Sequence, residues 1–211
     1  MSAPHQIRRC AQASCGLRFP VPAGSELGAS CPHCGGPTSF ADPPYSTHEI
    51  HEADPPLGPP VEALLDNVRS LRNVGSMFRT ADGAGVRHLH LGGFTPTPEH
   101  PQMAKTALGA ERSVPWTRHA DALEAAQTLA AKGLRVWAVE GGPRAVPLAT
   151  ALATRDDRAI LLVFGHEVSG VDPRIVDVAE RVVRLPMSGV KGSLNVGVAF
   201  GVACYFVRHG A

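Results

Sequence analysis

The chain lacks the features that mark a membrane protein, a secreted protein or a polycation. Its 211 residues contain no run that approaches the roughly 20 apolar residues needed to span a bilayer. The N-terminal segment MSAPHQIRRC has no apolar stretch after its positive charges, so we expect no secretory signal. A formal net charge of only +1 excludes a histone-like protein, although a nucleic-acid partner depends on where the charges lie. We therefore expect a cytoplasmic protein without a membrane partner.

Several common functional motifs are absent as well. The sequence has no G-x-G-x-x-G triplet, no P-loop, no G-x-S-x-G turn and no kinase motif set. Its composition, 44% hydrophobic and 18% charged, is typical of a globular protein that buries a core. The length allows one domain with a small additional module.

The cysteines indicate where the domains divide. Four of the five lie within the first 35 residues, and the segment from Gly35 to Pro60 is crowded with proline and glycine. We therefore predict a small module over residues 1–40, a linker over 41–60 and a main domain over 61–211. Within the linker, His48 and His51 are three residues apart, whereas a metalloprotease helix needs histidines four apart, so we expect an ordinary loop.

The four N-terminal cysteines form two closely spaced pairs, Cys10 with Cys15 and Cys31 with Cys34. Four thiolates on two short turns suit a tetrahedral structural zinc ion. Two disulfides are an alternative that requires an oxidising compartment, and rubredoxin-like iron is a third. The segment is too short to fold on its own core, so we expect the metal to supply its folding free energy. Whether the module clamps RNA, docks a partner or only stabilises the fold is left open.

The main domain alternates apolar strand-like runs with helical patterns. The strand-like runs are EALLDNV, VRHLHLGGF, LRVWAVEGG, AILLVFGHE and RVVRLPM, and the helical segments are NVGSMFRTADGAG, DALEAAQTLAAKG, PRIVDVAE and SLNVGVAFGVACYFVRHG. Strands that are apolar throughout and separated by helices predict an α/β fold, a parallel sheet with helices on both faces. Ligands of such folds bind beyond the carboxyl ends of the strands, so the segments after LLDNV, WAVE, LLVFG and RLP are candidate sites.

Three of these strand ends carry polar motifs. After the first strand, Asn73 and Arg79 lie at a helix start that suits an anion or, alternatively, an ordinary solvated face. The fourth run ends at Gly165 and Glu167, and a helix start follows at Asp172-Pro173.

The third motif follows the last strand, which ends at Leu185. A glycine-rich loop carries Lys191, and either Ser193 or Asn195 caps the final helix. Cys204 lies among apolar residues of that helix, which favours a place in the core over a role as nucleophile.

Together, and in this order, the motifs resemble those of the SpoU/TrmH family of RNA ribose methyltransferases, in the SPOUT class. The resemblance covers about Val61 to His209. Its most specific parts are N-x-G-x-x-x-R-T-A-D at 73–82, F-G-x-E-x-x-G at 164–170, and L-P-M followed by S-L-N-V at 185–196. The chain departs from the family at Gly197, where serine is frequent.

The resemblance implies properties that the residue pattern alone does not predict. The family's C-terminal segment threads a loop to form a trefoil knot that holds S-adenosylmethionine, and two subunits form a homodimer with the site at their interface. Carried over to this sequence, the cofactor would contact Gly165, Leu185, Met187, Ser193 and Leu194. The catalytic arginine would be Arg79, assisted by Asn73, Glu167, Ser193 and Asn195.

The implied reaction transfers a methyl group to a ribose 2′-hydroxyl of tRNA or rRNA. Arg79 would act either as the base or as a cation that stabilises the developing alkoxide, and we favour the cation. Glu167 would either bond backbone N–H groups or take part in catalysis. The loop at 95–116, with Lys105 and Arg112, would form an RNA-facing lid or a plain surface connection.

Two other classes of protein compete with this interpretation. A nucleotide-binding α/β oxidoreductase would use the same strand ends, but the sequence lacks its glycine triplet. A non-catalytic RNA-binding module with a retained cofactor pocket is the second alternative, and the intact set of polar residues argues against it.

Overall fold

The computed structural model of the protein describes residues 4–46 and 54–210. The chain divides into two units, Met1–Asp54 and Pro55–Ala211. Both ends of the stretch that the sequence predicts as a linker make backbone hydrogen bonds inside a unit. Tyr45 exchanges two hydrogen bonds with His5, 2.8 Å each, and the N–H groups of Leu57 and Gly58 donate to the carbonyl of Arg208. The histidine pair at 48 and 51 lies outside the described residues.

The N-terminal unit is a small antiparallel sheet. Its strands are β1 (His5–Cys10), β2 (Arg18–Pro22) and β3 (Thr38–Phe40), in the order β2-β1-β3. The buried Arg8 lies 4.2 Å from the centre of the Phe40 ring and donates to the Ser25 carbonyl at 3.1 Å. Among its described residues, the only buried apolar side chains are Cys10, Val21 and Cys31. Such a small core needs a further source of stability.

The second unit is built on a seven-stranded sheet in which every pairing is parallel. The strand order is β6-β5-β4-β9-β7-β10-β8. The strands are β4 (Val61–Asp66), β5 (Leu89–Gly92), β6 (Trp116–His119), β7 (Arg135–Val139), β8 (Val146–Pro147), β9 (Ile160–Phe164) and β10 (Arg181–Arg184). Five of them coincide with the apolar runs of the sequence, whereas β6 and β8 are additional strands at the two edges.

Helices cover both faces of this sheet. They are α1 (Leu71–Ala84), α2 (Met103–Ala107), α3 (Ala122–Ala131), α4 (Leu148–Ala153), α5 (Pro173–Val178) and α6 (Val196–His209), with a 3₁₀ turn at Ala110–Arg112. Side chains of α1, α2, α4 and α6 form one apolar cluster, and those of α3 and α5 form the other. Within β4, Leu65 belongs to the first cluster and Leu64 to the second, as the alternation of a strand requires. The predicted α/β class, with helices on both faces, is confirmed.

Side-chain caps fix where the helices near the strand ends begin. Ser70 caps α1, and Asp172 caps α5 ahead of Pro173, as its sequence predicts. Of the two candidates for α6, Asn195 is the cap: its side-chain oxygen accepts from the N–H groups of Gly197 and Val198. The final helix therefore starts at Val196, and Ser193 remains in the loop.

The loop predicted at 95–116 contains structure of its own, α2 and the 3₁₀ turn. Across the described ranges, no helix combines the length and the apolar character that a membrane crossing demands.

Candidate active site

Three loops at the carboxyl ends of neighbouring strands enclose a cleft of about 600 Å³. They follow β7, β9 and β10, and the first turn of α6 completes the wall. The parallel order of these strands brings the loops together, because the carboxyl ends of parallel strands meet at one edge of a sheet. The wall residues are Val139, Glu140, Gly141, Gly142, Phe164, Gly165, His166, Glu167, Val168, Gly170, Arg184, Leu185, Met187, Gly192, Ser193, Leu194, Asn195, Val196 and Ala199.

The five residues expected at the cofactor all lie in this wall: Gly165, Leu185, Met187, Ser193 and Leu194. Leu194 and Met187 are 40% and 36% exposed, which leaves their apolar surface open to a ligand. Among the residues expected to assist catalysis, Glu167, Ser193 and Asn195 also line the cleft, whereas Asn73 and Arg79 do not.

The loop after β9 folds back on itself, and Gly165 makes this possible. A Cβ atom at position 165 would lie 2.1 Å from the backbone of Gly170 and Val171. His166 and Gly170 exchange two backbone hydrogen bonds, of 3.0 and 2.9 Å, which close the loop. Gly170 has a φ of 74°, a conformation that side-chain-bearing residues rarely adopt. Both glycines are therefore required by the shape of the cleft wall.

Glu167 joins the loop after β9 to the start of α1. Its carboxylate accepts hydrogen bonds from the backbone N–H groups of Arg69 and Ser70, both at 3.0 Å, and from Nδ2 of Asn73 at 2.9 Å. Partial burial raises the pKa of Glu167, but the hydrogen bonds outweigh burial, so the pKa lies below its ordinary value. These contacts agree with one of the two roles expected for Glu167, that of bonding backbone N–H groups.

Asn73 continues this connection to the third motif. Its Oδ1 accepts from Nδ2 of Asn195 at 3.3 Å, and Oδ1 of Asn195 accepts from the N–H of Gly197 at 2.9 Å. One hydrogen-bonded chain, Glu167–Asn73–Asn195, therefore links all three motifs, and its two ends line the cleft. At Gly197, a Cβ atom would lie 3.0 Å from Oγ of Ser76, so the departure from the family's serine leaves room for that hydroxyl.

Arg79 lies on the exposed face of α1, away from the cleft wall of its own chain. Arg72, seven residues earlier and thus two turns away, shares this face. No hydrogen bond joins the Arg79 guanidinium to another residue of the described ranges. A single chain does not bring Arg79 together with the other residues of the expected catalytic set.

The four N-terminal cysteines converge on one point. Their Sγ atoms all lie within 4.8 Å of one another, with Cys10 to Cys34 at 3.5 Å and Cys15 to Cys31 at 3.7 Å. A disulfide would need about 2.05 Å, whereas zinc–sulfur bonds of about 2.3 Å in a tetrahedron place sulfurs about 3.8 Å apart. All four thiols are unpaired. The geometry of the donor set fits a tetrahedral metal ion.

The cleft wall also contains residues that the predicted site does not name individually: Glu140, Gly141 and Gly142 after β7, and Arg184 at the end of β10. Gly141 and Gly142 lie in the segment after WAVE, which the strand-end rule makes a candidate site, and Glu140 is the last residue of that run. Two glycines and one carboxylate also fit an ordinary turn, so the sequence does not assign them to the site individually.

A parallel sheet covered on both faces, with a ligand-sized cleft at adjacent carboxyl ends, is the architecture of the α/β proteins whose ligands bind beyond their strand ends. Among proteins of this architecture, the sequence matches one family in particular. A sequence model of the SpoU rRNA Methylase family matches residues 60–205, and the chain belongs to this family.

Individual relatives share most of the second unit. An uncharacterised tRNA/rRNA methyltransferase of Mycobacterium tuberculosis is 32% identical over 143 residues, which cover 68% of this chain and 50% of the relative. The tRNA (guanosine(18)-2′-O)-methyltransferase of Thermus thermophilus is 31% identical over 155 residues, covering 70% of this chain and 73% of that protein. The chain thus spans about half the length of the mycobacterial relative.

A solved structure shares the fold. The AdoMet-bound rRNA methyltransferase from Sinorhizobium meliloti has a TM-score of 0.65 at 27% identity, over 74% of this chain and 58% of that one.

Proposed function

We propose that the protein transfers a methyl group from S-adenosylmethionine to a ribose 2′-hydroxyl of tRNA or rRNA. The observation that carries the proposal is the cleft at three strand ends, two of whose wall residues, Glu167 and Asn195, are joined through Asn73 by hydrogen bonds. Family membership and the Thermus tRNA 2′-O-methyltransferase support the same chemistry. Because an RNA enzyme works where tRNA and rRNA are found, we place the protein in the cytoplasm.

The cleft fits the cofactor in size and in chemistry. Its volume of about 600 Å³ lies within the range of roughly 300–1,000 Å³ that is typical of small-molecule sites. Leu185, Met187 and Leu194 offer an apolar surface for adenine, and the loop after β9, which Gly165 allows to fold closely, adds main-chain groups to the same wall. When bound, S-adenosylmethionine supplies an electrophilic methyl group. The residues of this chain hold it in place and orient the acceptor.

We propose a homodimer formed through α6. Val198, Val202, Tyr205 and Phe206 are between 38% and 52% exposed, and their spacing of four, three and one residues puts them on one helical face. This apolar face of α6 begins beside the cleft, because Val196 and Ala199 line it. It also adjoins α1, since a Cβ atom at Gly83 would lie 2.7 Å from the Tyr205 hydroxyl. A second copy packed here would cover the apolar face and bring its Arg79 to the cleft.

In such a dimer, Arg79 acts as a cation beside the reacting hydroxyl. An arginine side chain is effectively always protonated at pH 7, so a role as base is unfavourable. A guanidinium that remains charged stabilises the developing alkoxide and binds the neighbouring phosphate with its planar set of donors.

We further propose that Cys10, Cys15, Cys31 and Cys34 hold a structural zinc ion and that the C-terminal segment is knotted as in the family. The tetrahedral spacing of the sulfurs supports the zinc site. The knot is supported by the close approach of the loops after β7, β9 and β10 around one cleft.

The direct test compares RNA from cells with and without the gene. We expect mapping of 2′-O-methyl sites to find at least one nucleotide of tRNA or rRNA that loses its methyl group in the deletion strain. Restoration by the wild-type gene is the control. An unchanged map, combined with binding of S-adenosylmethionine by the purified protein, would favour the non-catalytic RNA-binding alternative. Thermal stabilisation by dinucleotides but not by S-adenosylmethionine would favour the oxidoreductase.

A further inference from the structure

Most of the side-chain hydrogen-bond acceptors in the cleft wall already bind N–H groups of the protein itself. Three N–H donors already bind the Glu167 carboxylate. Nδ1 of His166 accepts from the backbone N–H groups of Val168 and Ser169, at 3.2 and 3.3 Å. Oδ1 of Asn195 accepts from two N–H groups at the start of α6. A ligand that enters as a hydrogen-bond donor therefore finds most of these acceptors in use.

Glu140 is the exception. It follows β7, where its N–H donates to the carbonyl of Val183 on β10 at 3.0 Å. Its Oε2 accepts from the N–H of Val171 at 3.0 Å, and its Oε1 accepts from the N–H of Gly141 at 2.9 Å. Each carboxylate oxygen has two lone pairs, so both oxygens retain one free acceptor position.

The surroundings of Glu140 hold this carboxylate in place and leave space in front of it. A Cβ atom at Gly170 would lie 2.3 Å from Oε2, so only glycine at that position permits the arrangement. Glu140 lines the cleft of about 600 Å³, and Cβ atoms at the adjacent Gly141 and Gly142 would meet nothing within 4 Å. Glu140 is therefore a partly exposed anion, positioned by two backbone hydrogen bonds and bordered by open space at the edge of an apolar slot.

We propose, on the basis of the function proposed above, that Glu140 binds the two ribose hydroxyls of the adenosine half of S-adenosylmethionine. A vicinal diol presents two O–H donors side by side, and a carboxylate with one free position on each oxygen accepts both. Acidic side chains at strand ends bind ribose hydroxyls in the same way in dinucleotide folds. The adenine then lies in the slot beside Leu185 and Leu194, on the next strand end of the sheet.

Binding measurements with three ligands test this assignment without any RNA. The ligands are S-adenosylhomocysteine, 5′-methylthioadenosine, which lacks the amino-acid tail, and the 2′-deoxy form of 5′-methylthioadenosine. The proteins are the wild type, Glu140→Gln and Glu140→Asp, with Glu124→Gln on the exposed side of α3 as the matched control. Thermal melts of each variant establish that the fold is retained.

We expect Glu140→Gln to weaken binding of 5′-methylthioadenosine by about tenfold or more, the usual effect of losing hydrogen bonds to a charged group. The 2′-deoxy ligand should bind the wild type more weakly by a similar factor. In Glu140→Gln that penalty should disappear, because the partner of the hydroxyl is already gone. Glu140→Asp, which withdraws the charge by one methylene, should behave like Glu140→Gln, and Glu124→Gln should bind all three ligands normally.

Two results would overturn the assignment. If Glu140→Gln weakens S-adenosylhomocysteine but not 5′-methylthioadenosine, the carboxylate binds the amino-acid tail. If the 2′-deoxy penalty is the same in the wild type and the variant, Glu140 acts only by holding the loop after β9. Failure of the proposed reaction is distinguishable, because the ligands would then bind as expected while no RNA is methylated. A wild type that binds none of the three ligands would contradict both proposals.

Discussion

At the scale of single residues, hydrogen bonds from donors just before and within the first turn of α1 determine what the Glu167 carboxylate can do. It accepts from two backbone N–H groups and one amide, so it connects two motifs that are almost a hundred residues apart in the chain. A carboxylate so occupied is suited to holding Asn73 in place, and Asn73 in turn contacts Asn195. Neither the partners nor the distances were readable from the sequence, because they depend on how β4 and β9 pair.

Replacing Glu167 with glutamine tests this positioning role. The amide oxygen can still accept, but its NH₂ group would face N–H donors, so we expect a loss of about 1–3 kcal/mol in the free energy of unfolding. Urea unfolding, monitored by tryptophan fluorescence, measures this free energy, because both tryptophans, Trp116 and Trp137, lie in the second unit. Glu124→Gln serves as the control. Unchanged stability and cofactor binding, together with lost methyl transfer, would instead assign Glu167 a catalytic part.

Histidines on and beside β5 and β6 should make the free energy of unfolding depend on pH. His90 bonds Glu62 through Nε2 and His119 through Nδ1, both at 2.9 Å. Burial, together with the neighbouring His90, lowers the pKa values of His88 and His119 below their ordinary range. The unfolded chain therefore binds these protons first as the pH falls, and the stability present above pH 6.5 is lost progressively below it.

The variant His119→Gln should lose less stability than the wild type as the pH falls. Urea unfolding at pH 7.5 and at pH 5.5, followed by the same fluorescence, should show a smaller difference in the variant than in the wild type. Replacing the exposed His100 in the same way should leave the difference unchanged. Equal pH dependence in the wild type and both variants would show that the partly buried His119 does not govern it.

At the scale of helices and strands, the long apolar segments were predictable and the short ones were not. β9 is buried along its whole length, and α6 continues for fourteen residues between a polar cap and a C-terminal glycine, so both give clear patterns. In contrast, β6 has only four residues, none of them fully buried, and β8 has two. Such short segments become strands because a neighbouring strand pairs with them, which no local pattern reports.

The apolar face of α6 gives a prediction at this scale. Val202→Glu places a charge in the centre of that face, so we expect the variant to be a folded monomer that no longer transfers methyl groups. Analytical ultracentrifugation gives the oligomeric state. The control is Val178→Glu on α5, a valine of similar exposure on the opposite side of the sheet. A Val202→Glu protein that remains dimeric would exclude this face as the interface.

At the scale of the whole molecule, two units with different sources of stability share one chain. The second unit buries two apolar clusters around its sheet, whereas the described part of the first unit buries three apolar side chains, two of them cysteines. The cysteine spacing was enough to predict that the four thiols come together, because each pair lies on one short local turn. The domain boundaries were harder to predict, because the pairing of Tyr45 with His5 depends on contacts that are distant in sequence.

Loss of metal should therefore affect only the first unit. We expect native mass spectrometry to detect one zinc ion in the wild type and none in Cys31→Ser, while the unfolding of the second unit, monitored by tryptophan fluorescence, stays unchanged. His33→Ala, in the same turn, should keep the metal because its side chain is not among the four ligands. Retention of zinc in Cys31→Ser, or its loss in His33→Ala, would contradict the four-cysteine site.

The most direct test of the central claim is methyl transfer by the purified protein. Total RNA from the deletion strain is incubated with S-adenosylmethionine labelled in the methyl group, then digested to nucleosides and separated. The account predicts label in a 2′-O-methylnucleoside with the wild type, and a large loss of label with Arg79→Lys, which keeps the charge but not the planar donors. Label in a base-methylated nucleoside, or equal label with both proteins, would contradict it.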